Sequence, residues 1–199
     1  IEPAPLLLER IRKKKAGTNG FKPVSTFRLT ELPKDWAWSH AGFLFENIAR
    51  GATPRYGEAP KEKGEIPFIK VQNLTKDGSL NLHNLMFISK RTHEEKLRKS
   101  RAYPGDVLMN ITGPPFGKVS VVTNRYPEWN INQAIALFRR NSTYDNRLLC
   151  YFLLYEGTIS RALRLVKATA GQYNLNLQNC RDLPLPVPPL LEQEAIVLE

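Results

Sequence analysis

The sequence predicts a mixed α+β fold, with strands and loops in the middle of the chain and helices in its C-terminal third. Several short runs rich in β-branched and aromatic residues lie between residues 66 and 139, as expected for strands. Fifteen Pro and twelve Gly are too many for a helical bundle and indicate many turns. After residue 146, apolar residues recur every third or fourth position, which favours helices. The 199 residues are 42% hydrophobic, which is enough to bury the core of one domain.

The N-terminal segment is predicted to be a helix over residues 3–16. Pro3 and Pro5 suit only the first turn of a helix, and Leu7 and Ile11 lie on one apolar stripe. Basic residues follow at the C-terminal end, where cations interact favourably with the helix dipole. Residues 17–35 are rich in Gly, Thr, Pro and Lys, which predicts a linker.

Short strands and one short helix are predicted in the middle of the chain. The strands are Ile66–Gln72, Leu85–Ser89, Asp106–Ile111, Val119–Thr123 and Ala134–Arg139. Pro67 places the beginning of the first strand at an edge or at its starting position, because proline has no N–H to donate. Gly113 and the prolines after it predict a turn between the third and fourth strands. A short charged helix is predicted over Thr92–Lys99, with Thr92 and Glu95 as a capping box.

The last third of the chain is predicted to be mainly helical. Asn146–Glu156 is apolar nearly all round and should be buried, whereas residues 159–167 form an amphipathic pattern. A polar loop, 168–176, comes before the proline-rich stretch Leu183–Pro189, which favours an extended path. A final helix begins at Leu190. The sequence starts without methionine and stops inside this helical pattern, so we expect it to be a piece of a longer protein.

The charge of the chain favours a polyanionic partner. Lys and Arg number 29 against 19 Asp and Glu, a net charge of +10, and nucleic acid is the first candidate. The two cysteines, Cys150 and Cys180, lie outside any Cys–His cluster, which argues against a disulfide scaffold or a zinc site. Cys150 lies in an apolar run and is expected in the core. No apolar run is long enough to span a membrane, and we expect a reducing, cytoplasmic location.

The catalytic motifs that the sequence suggests are incomplete. Gly113-Pro-Pro-Phe116 is similar to a motif of amino-methyltransferases, but glycine has no side chain to accept a hydrogen bond from the target amine. No strand leads into a Gly-rich loop that would hold S-adenosylmethionine, and the three His lie in unrelated contexts. We therefore expect a non-catalytic binding protein without a cofactor or metal of its own.

Polar and basic residues beside glycines in loops are the candidate DNA contacts, because Arg, Lys, Asn and Gln bind base edges and phosphates. The loop 50–57 contributes two arginines. The candidates are Thr53, Arg55, Tyr56, Lys61, Lys63, Lys70, Gln72, Asn73, Thr112, Phe116, Lys118, Asn132, Gln133, Thr169, Gln172, Tyr173 and Asn174. Basic members are expected to supply salt-sensitive affinity for any sequence, and amide side chains to supply specificity.

The order of several motifs resembles one family. These motifs are Leu32-Pro-Lys-Asp-Trp36, Gly51-x-Thr53-Pro54, Gly64-Glu-Ile-Pro-Phe-Ile-Lys70, Pro104-Gly-Asp-Val-Leu108, Gly117-Lys118, Asn132-Gln133 and Leu183-Pro-Leu-Pro-Val-Pro-Pro-Leu-Leu-Glu-Gln193. Over about residues 30–199, the chain is similar to the specificity (S) subunits of type I restriction-modification enzymes. The final motif is the most specific part, since it resembles the beginning of a long helix conserved in that family.

The resemblance implies a target recognition domain that binds one half of a bipartite duplex-DNA sequence. Residues 1–16 would be the end of one conserved spacer helix, 17–188 the recognition domain, and 189–199 the beginning of the next spacer helix. Such helices pair antiparallel and connect two recognition domains, of the same or another S chain. The implied partners are modification subunits, which methylate adenine with S-adenosylmethionine, and a restriction subunit, which uses ATP and Mg²⁺. The arrangement is similar to the second recognition domain, although a permuted or half-length subunit would look alike.

One loop departs from the family pattern. Many members have Gly-Thr-x-Gly-Lys where this chain has Thr112-Gly-Pro-Pro-Phe-Gly-Lys118, which puts DNA contacts carried over to Thr112 in doubt. The aromatic side chain of Phe116 is one candidate for insertion into a DNA groove. Two other classes of function stay open: a DNA methyltransferase or nuclease with its own active site, and a protein-interaction scaffold built on the terminal helices.

Overall fold

Helices at both ends of the chain enclose a middle region built mainly of strands. The structure, a computed structural model, describes residues 2–14, 31–45, 47–55, 58–113, 116–139, 142–158, 160 and 173–198. The α-helices in this part are α1 (Ala4–Lys14), α2 (Ala41–Leu44), α3 (Asn146–Leu154), α4 (Leu177–Asp182) and α5 (Leu190–Ile196). The strands are β1 (Ala37–His40), β2 (Ile48–Arg50), β3 (Ile66–Ile69), β4 (Met86–Ile88), β5 (Arg101–Ala102), β6 (Val107–Asn110), β7 (Thr112–Gly113), β8 (Val119–Val121), β9 (Trp129–Ile131), β10 (Ile135–Phe138), β11 (Tyr173–Asn174) and β12 (Pro184–Val187).

Two four-stranded sheets and two short ribbons contain these strands. The first sheet has the order β2-β10-β6-β8 and is antiparallel throughout. The second has the order β4-β3-β9-β5, and only the β3–β9 pair is parallel. The ribbons pair β1 with β12 and β7 with β11. The strands β9 and β10 belong to different sheets and are joined by the short turn 132–134, so this turn links the two sheets.

The first sheet is buried on both faces. All residues of β6 and β10 are buried. Successive side chains of a strand point to opposite faces, and accordingly Met109 and Phe138 pack in one hydrophobic cluster while Leu108 and Leu137 pack in another. Burial on both faces explains why these segments are nearly continuous apolar runs in the sequence.

The terminal helices pack on the larger of the two clusters. Leu7 and Ile11 of α1 are buried in it together with Leu149 of α3. The helix α5 is held by Gln193, whose buried side chain accepts a hydrogen bond from Asp145 N at 2.9 Å and donates to Pro188 O at 3.0 Å. Because a buried amide is costly without partners, these bonds fix the position of α5.

The predicted strands are all present, with narrower bounds. Pro67 lies in β3 one residue before Phe68, where pairing with β9 begins, so it is at the start of the strand rather than at a sheet edge. The strands β1, β2, β5, β7, β9, β11 and β12 were not predicted. The proline-rich β12 is extended, as expected, and its prolines fit because β1 is its one neighbour, so one edge of β12 needs no N–H donor.

Two predictions about helices were wrong. Thr92 and Glu95 do not form a capping box: Arg91 is the N-cap residue of the helical turn Thr92–Lys96, Thr92 N donates to Ser89 Oγ at 3.2 Å, and Glu95 pairs with Arg91. The helix α3 is amphipathic rather than buried all round, since Tyr151 is 51% exposed. Apart from Ser160, which is helical, the predicted amphipathic helix over 159–167 lies outside the described residues, as do most of the predicted linker and polar loop.

None of the helices in the described part of the chain has both the length and the apolar character that crossing a membrane requires.

Candidate nucleic-acid interface

The turn 132–134 is the centre of a group of polar loops. The backbone N–H of Asn132 donates to Ile69 O at 3.0 Å, and its side-chain oxygen accepts from Ala134 N at 3.2 Å. Ala134 O in turn accepts from Ile111 N at 2.8 Å. These bonds connect the turn to the end of β3 and to the end of β6, and they leave the side chain of Gln133 exposed at the tip.

The end of β2 lies directly against this turn. Gly51 N donates to Ile135 O at 3.0 Å, and Ala52 N donates to Ile131 O at 3.1 Å. A Cβ atom on Gly51 would overlap the carbonyl oxygen of Asn132, so only glycine allows this close approach. The loop that carries the exposed Thr53 and Arg55 therefore starts beside the turn.

The segment after β3 contributes Lys70 and Gln72. Gln72 is exposed and Lys70 is half-buried. Asn73 is 1% exposed; its side-chain oxygen accepts from Lys70 N at 2.9 Å and its amide donates to Asn81 O at 3.0 Å. Both the oxygen and the nitrogen of its side-chain amide are thus used within the protein. We therefore no longer count Asn73 among the candidate DNA contacts.

The end of β6 joins two more segments to the group. Asn174 pairs with Thr112 in the β7–β11 ribbon. Asn110 is connected to the next segment through its side chain, whose Oδ1 accepts from Lys118 N at 3.0 Å. The Lys118 ammonium group reaches Val71 O at 3.5 Å, which brings Lys118 next to Lys70 and Gln72.

We call this group the loop-end surface and define it by the segments 50–55, 70–73, 110–113, 116–118, 132–134 and 173–176. These described segments contain the cations Arg50, Arg55, Lys70 and Lys118 and no Asp or Glu. Cations without carboxylates on adjoining loops create a positive potential that attracts polyanions. This surface therefore offers donors of the kind that phosphates and the edges of bases accept.

Lys61 and Lys63 lie outside the loop-end surface. Lys61 pairs with Phe87 on the outer side of β4, so that β4 and β3 separate it from β9. Both lysines belong to a second region, which we call the charged edge and define by residues 58–65 and 90–96. The charged edge contains five carboxylates and five Lys or Arg residues, so it is neutral in sum.

The remaining candidate DNA contacts are either partly buried or have no described side chain. Phe116 is partly buried against the larger hydrophobic cluster, which does not support its insertion into a DNA groove. Tyr56, Thr169 and Gln172 lie outside the described residues, and for Tyr173 only the backbone is described. Of the predicted contacts, the structure brings Thr53, Arg55, Lys70, Gln72, Thr112, Lys118, Asn132, Gln133 and Asn174 together.

Arg50 is a residue of this surface that the sequence analysis did not select. Its Nε donates to Gln133 O at 2.6 Å, across 83 residues of sequence. The nearby thiol of Cys180 does not offset this charge, because burial raises the pKa of Cys180 to about 12 and keeps it protonated. Two arginines in the loop 50–57 were the available signal, but only the fold distinguishes Arg50 from Arg55.

Side chains that a metal or a nucleophilic mechanism would need are not grouped here. Among the described residues, no cluster of three or more His, Cys, Asp or Glu is suited to hold a metal ion. Burial also raises the pKa of Cys150 to about 12, as expected for a core cysteine rather than a reactive one.

Comparison with known proteins places this fold and its loops in one class, that of DNA-specificity domains. Residues 33–198 match the family model described as the type I restriction modification DNA specificity domain, and the chain belongs to this family. It is 25% identical over 176 residues to the putative type I restriction enzyme MjaX specificity subunit of Methanocaldococcus jannaschii. That match covers 83% of this chain and 39% of the relative.

Solved structures support the same fold. The HsdS subunit from Thermoanaerobacter tengcongensis superposes with a TM-score of 0.61 at 20% identity, covering 98% of this chain and 41% of that chain. A chain from a structural study of complex assembly and conformational transition in a type I R-M system gives a TM-score of 0.65 at 19% identity, with coverage of 98% and 45%. The chain therefore spans less than half the length of these relatives.

Proposed function

We propose that this chain is one target recognition domain of a type I specificity subunit, and that its loop-end surface binds duplex DNA sequence-specifically. The observation that carries this proposal is the convergence of six separate segments into one surface with four cations and no carboxylate. In this proposal the chain does no chemistry of its own. It recognises one half of a bipartite target, and a second recognition domain recognises the other half.

In this proposal, one group of side chains provides affinity for DNA and another provides specificity. Arg55, Lys70 and Lys118 contact phosphates, which gives affinity that falls with salt and does not depend on sequence. The exposed amides of Gln72, Gln133 and Asn174 are of the kind that bind base edges, where a good bidentate contact contributes about 1–3 kcal/mol of discrimination.

The terminal helices have the features of spacer helices in this proposal. Residues 17–188 form the recognition domain, α1 is the end of one spacer helix, and α5 begins the next. Gln193 of α5 and Val197, which follows the helix, are buried. Leu191 of α5 is 61% exposed, and Leu198, in the turn after the helix, is 79% exposed. These two leucines leave an apolar face exposed at the end of α5. This face is suited to a spacer helix of the same or another specificity chain.

The proposed partners are the other subunits of the restriction-modification enzyme in the cytoplasm. Modification subunits would supply adenine methylation with S-adenosylmethionine, and a restriction subunit would supply ATP- and Mg²⁺-dependent cleavage. The specificity chain would direct both to the target.

A selection experiment tests the proposal. The purified chain is incubated at low salt with a pool of random duplex DNA, and the retained DNA is sequenced. We expect enrichment of one short motif. Retention without enrichment would mean that the domain binds DNA without sequence preference. No retention at low salt would favour a protein-interaction scaffold built on the terminal helices.

A second measurement addresses the catalytic alternative. Titration of the chain with S-adenosylmethionine in a calorimeter should give no saturable heat. Tight, saturable binding would contradict the non-catalytic assignment and favour a methyltransferase.

A further inference from the structure

The side chain of Arg50 has a fixed orientation on the loop-end surface. Its Nε donates to Gln133 O at 2.6 Å, and the residue is exposed. Its two terminal amino groups make no hydrogen bond or ion pair with any described residue. One edge of the guanidinium is therefore used to hold the side chain, and the two terminal donors are free to bind a ligand.

The turn that holds Arg50 is itself held from several sides. Asn132 N and Ala134 O bond to β3 and to the residue after β6, and Ile135 N donates to Asn132 O at 3.1 Å. On the other side, the backbone of Gly51 and Ala52 bonds to Ile135 and Ile131. Both ends of the Arg50–Gln133 hydrogen bond are thus attached to the sheets, so the plane of the guanidinium is set before any ligand binds.

A planar pair of N–H donors in a fixed orientation matches the O6 and N7 acceptors of guanine in the major groove. A phosphate also accepts two N–H donors from a guanidinium, but its oxygens accept donors from many directions, so flexible side chains bind it without a fixed orientation. Arg55, Lys70 and Lys118 on the adjoining segments are available for phosphates. Arg50, which is restrained by Gln133 at the centre, is the arginine suited to a base.

We propose that Arg50 recognises a guanine in the target sequence and that the Gln133 carbonyl orients it for this contact. The inference rests on the proposed function, because it assigns a specificity-determining residue within the same surface. Gln133 acts through its backbone in this role and is a positioning residue for Arg50.

The test repeats the selection from random duplex DNA with the full chain and its variants. Arg50→Lys keeps the charge but loses the planar pair of donors, and Arg50→Gln loses the charge as well. Arg125→Lys is the matched control, because Arg125 is an exposed arginine outside the loop-end surface with no ion pair among the described residues. Thermal unfolding of each variant checks that it is folded.

The wild-type chain should enrich a motif that contains a guanine at one invariant position. Arg50→Lys and Arg50→Gln should lose the preference for guanine at that position by about tenfold. They should keep the preferences at other positions, and the control Arg125→Lys should enrich the unchanged wild-type motif. Unchanged motifs for both Arg50 variants would overturn the inference alone, as would an equal loss of affinity for every sequence. Failure of the wild-type chain to enrich any motif would overturn the proposed function as well.

Replacement of that guanine by 7-deazaguanine gives an independent measurement. The analogue keeps Watson–Crick pairing but lacks the N7 acceptor. Wild-type affinity for the selected duplex should fall about fivefold or more, whereas the affinity of Arg50→Gln should be the same for both duplexes. Equal losses in the two proteins would contradict a contact between Arg50 and N7.

Discussion

The loop-end surface and the charged edge contain similar numbers of basic residues but differ in their carboxylates. On the charged edge, Lys90 pairs with Glu94 at 3.8 Å, Arg91 pairs with Glu95 at 3.2 Å, and Lys96 pairs with Glu58. The segments of the loop-end surface contain no carboxylate. A net charge of +10 therefore says little about where a polyanion binds, because binding depends on which cations lack a neutralising neighbour.

The charged edge also lies over a buried polar network, which is centred on Asn130. His93 and Asn130 are both 0% exposed. Asn130 donates to His93 Nδ1 and to Leu97 O, each at 3.1 Å, and its oxygen accepts from Ser100 Oγ at 2.7 Å. His93 Nε2 lies 2.9 Å from Glu128 Oε2. This network attaches the charged helical turn to β9, so the region has a structural role.

The largest effect is expected from Asn130→Ala. It removes the partner of His93 Nδ1 and one of the two acceptors of Ser100 Oγ, and a buried polar atom without a partner costs about 1–3 kcal/mol. We expect the free energy of unfolding to fall by about 3 kcal/mol, measured by urea denaturation. Asn124→Ala on an exposed turn is the control and should change it by less than about 0.5 kcal/mol. Similar losses for the two variants would show that the network does not stabilise the fold.

The second-largest effect is expected when two cations are removed from the loop-end surface, and the same change on the charged edge shows which region binds DNA. Lys70→Ala with Lys118→Ala should weaken binding of duplex DNA roughly tenfold and lower the salt-dependence slope by about 2, because two phosphate contacts are lost. Lys90→Ala with Arg91→Ala removes the same charge from the charged edge and should leave the slope nearly unchanged. Binding is measured by fluorescence anisotropy over a series of salt concentrations. Equal effects of the two double variants would contradict the division between the regions.

The sequence predicts the fold class and its main strands because burial on both faces leaves continuous apolar runs, as in β6 and β10. It also identifies most residues of the loop-end surface, because polar and basic residues next to glycines can be recognised in the sequence. It does not distinguish Gln72 from Asn73, although one is exposed and the other is used inside the turn. The role of Arg50 depends on a hydrogen bond across 83 residues, which no local pattern contains.

The pH dependence of stability tests the buried part of the charged edge. Burial lowers the pKa of His93 below 6.5, against the opposing effect of Glu128. As the pH falls below 6.5, the unfolded chain therefore binds a proton that the folded chain takes up only at lower pH, and the free energy of unfolding decreases. Burial lowers the pKa of His40 as well, so it contributes in the same direction.

The measurement compares urea denaturation at pH 7.5 and pH 5.5 for the wild-type chain and for His93→Gln. The variant should lose less stability than the wild type between the two pH values. An equal loss would assign the pH dependence to other groups, with His40→Gln as the next variant to measure.

The smallest effect is expected from the ion pairs of the charged edge themselves. Arg91 and Glu95 are 78% and 58% exposed in their side chains, and an exposed pair of this spacing contributes about 0.3–0.5 kcal/mol. Arg91→Ala should therefore change the free energy of unfolding by no more than about 0.5 kcal/mol in urea denaturation. A double-mutant cycle with Glu95→Ala isolates the pair, and a coupling above about 1 kcal/mol would contradict this estimate. A coupling of no more than about 0.5 kcal/mol would mean that the main effect of these pairs is to neutralise the cations of the charged edge rather than to stabilise the fold.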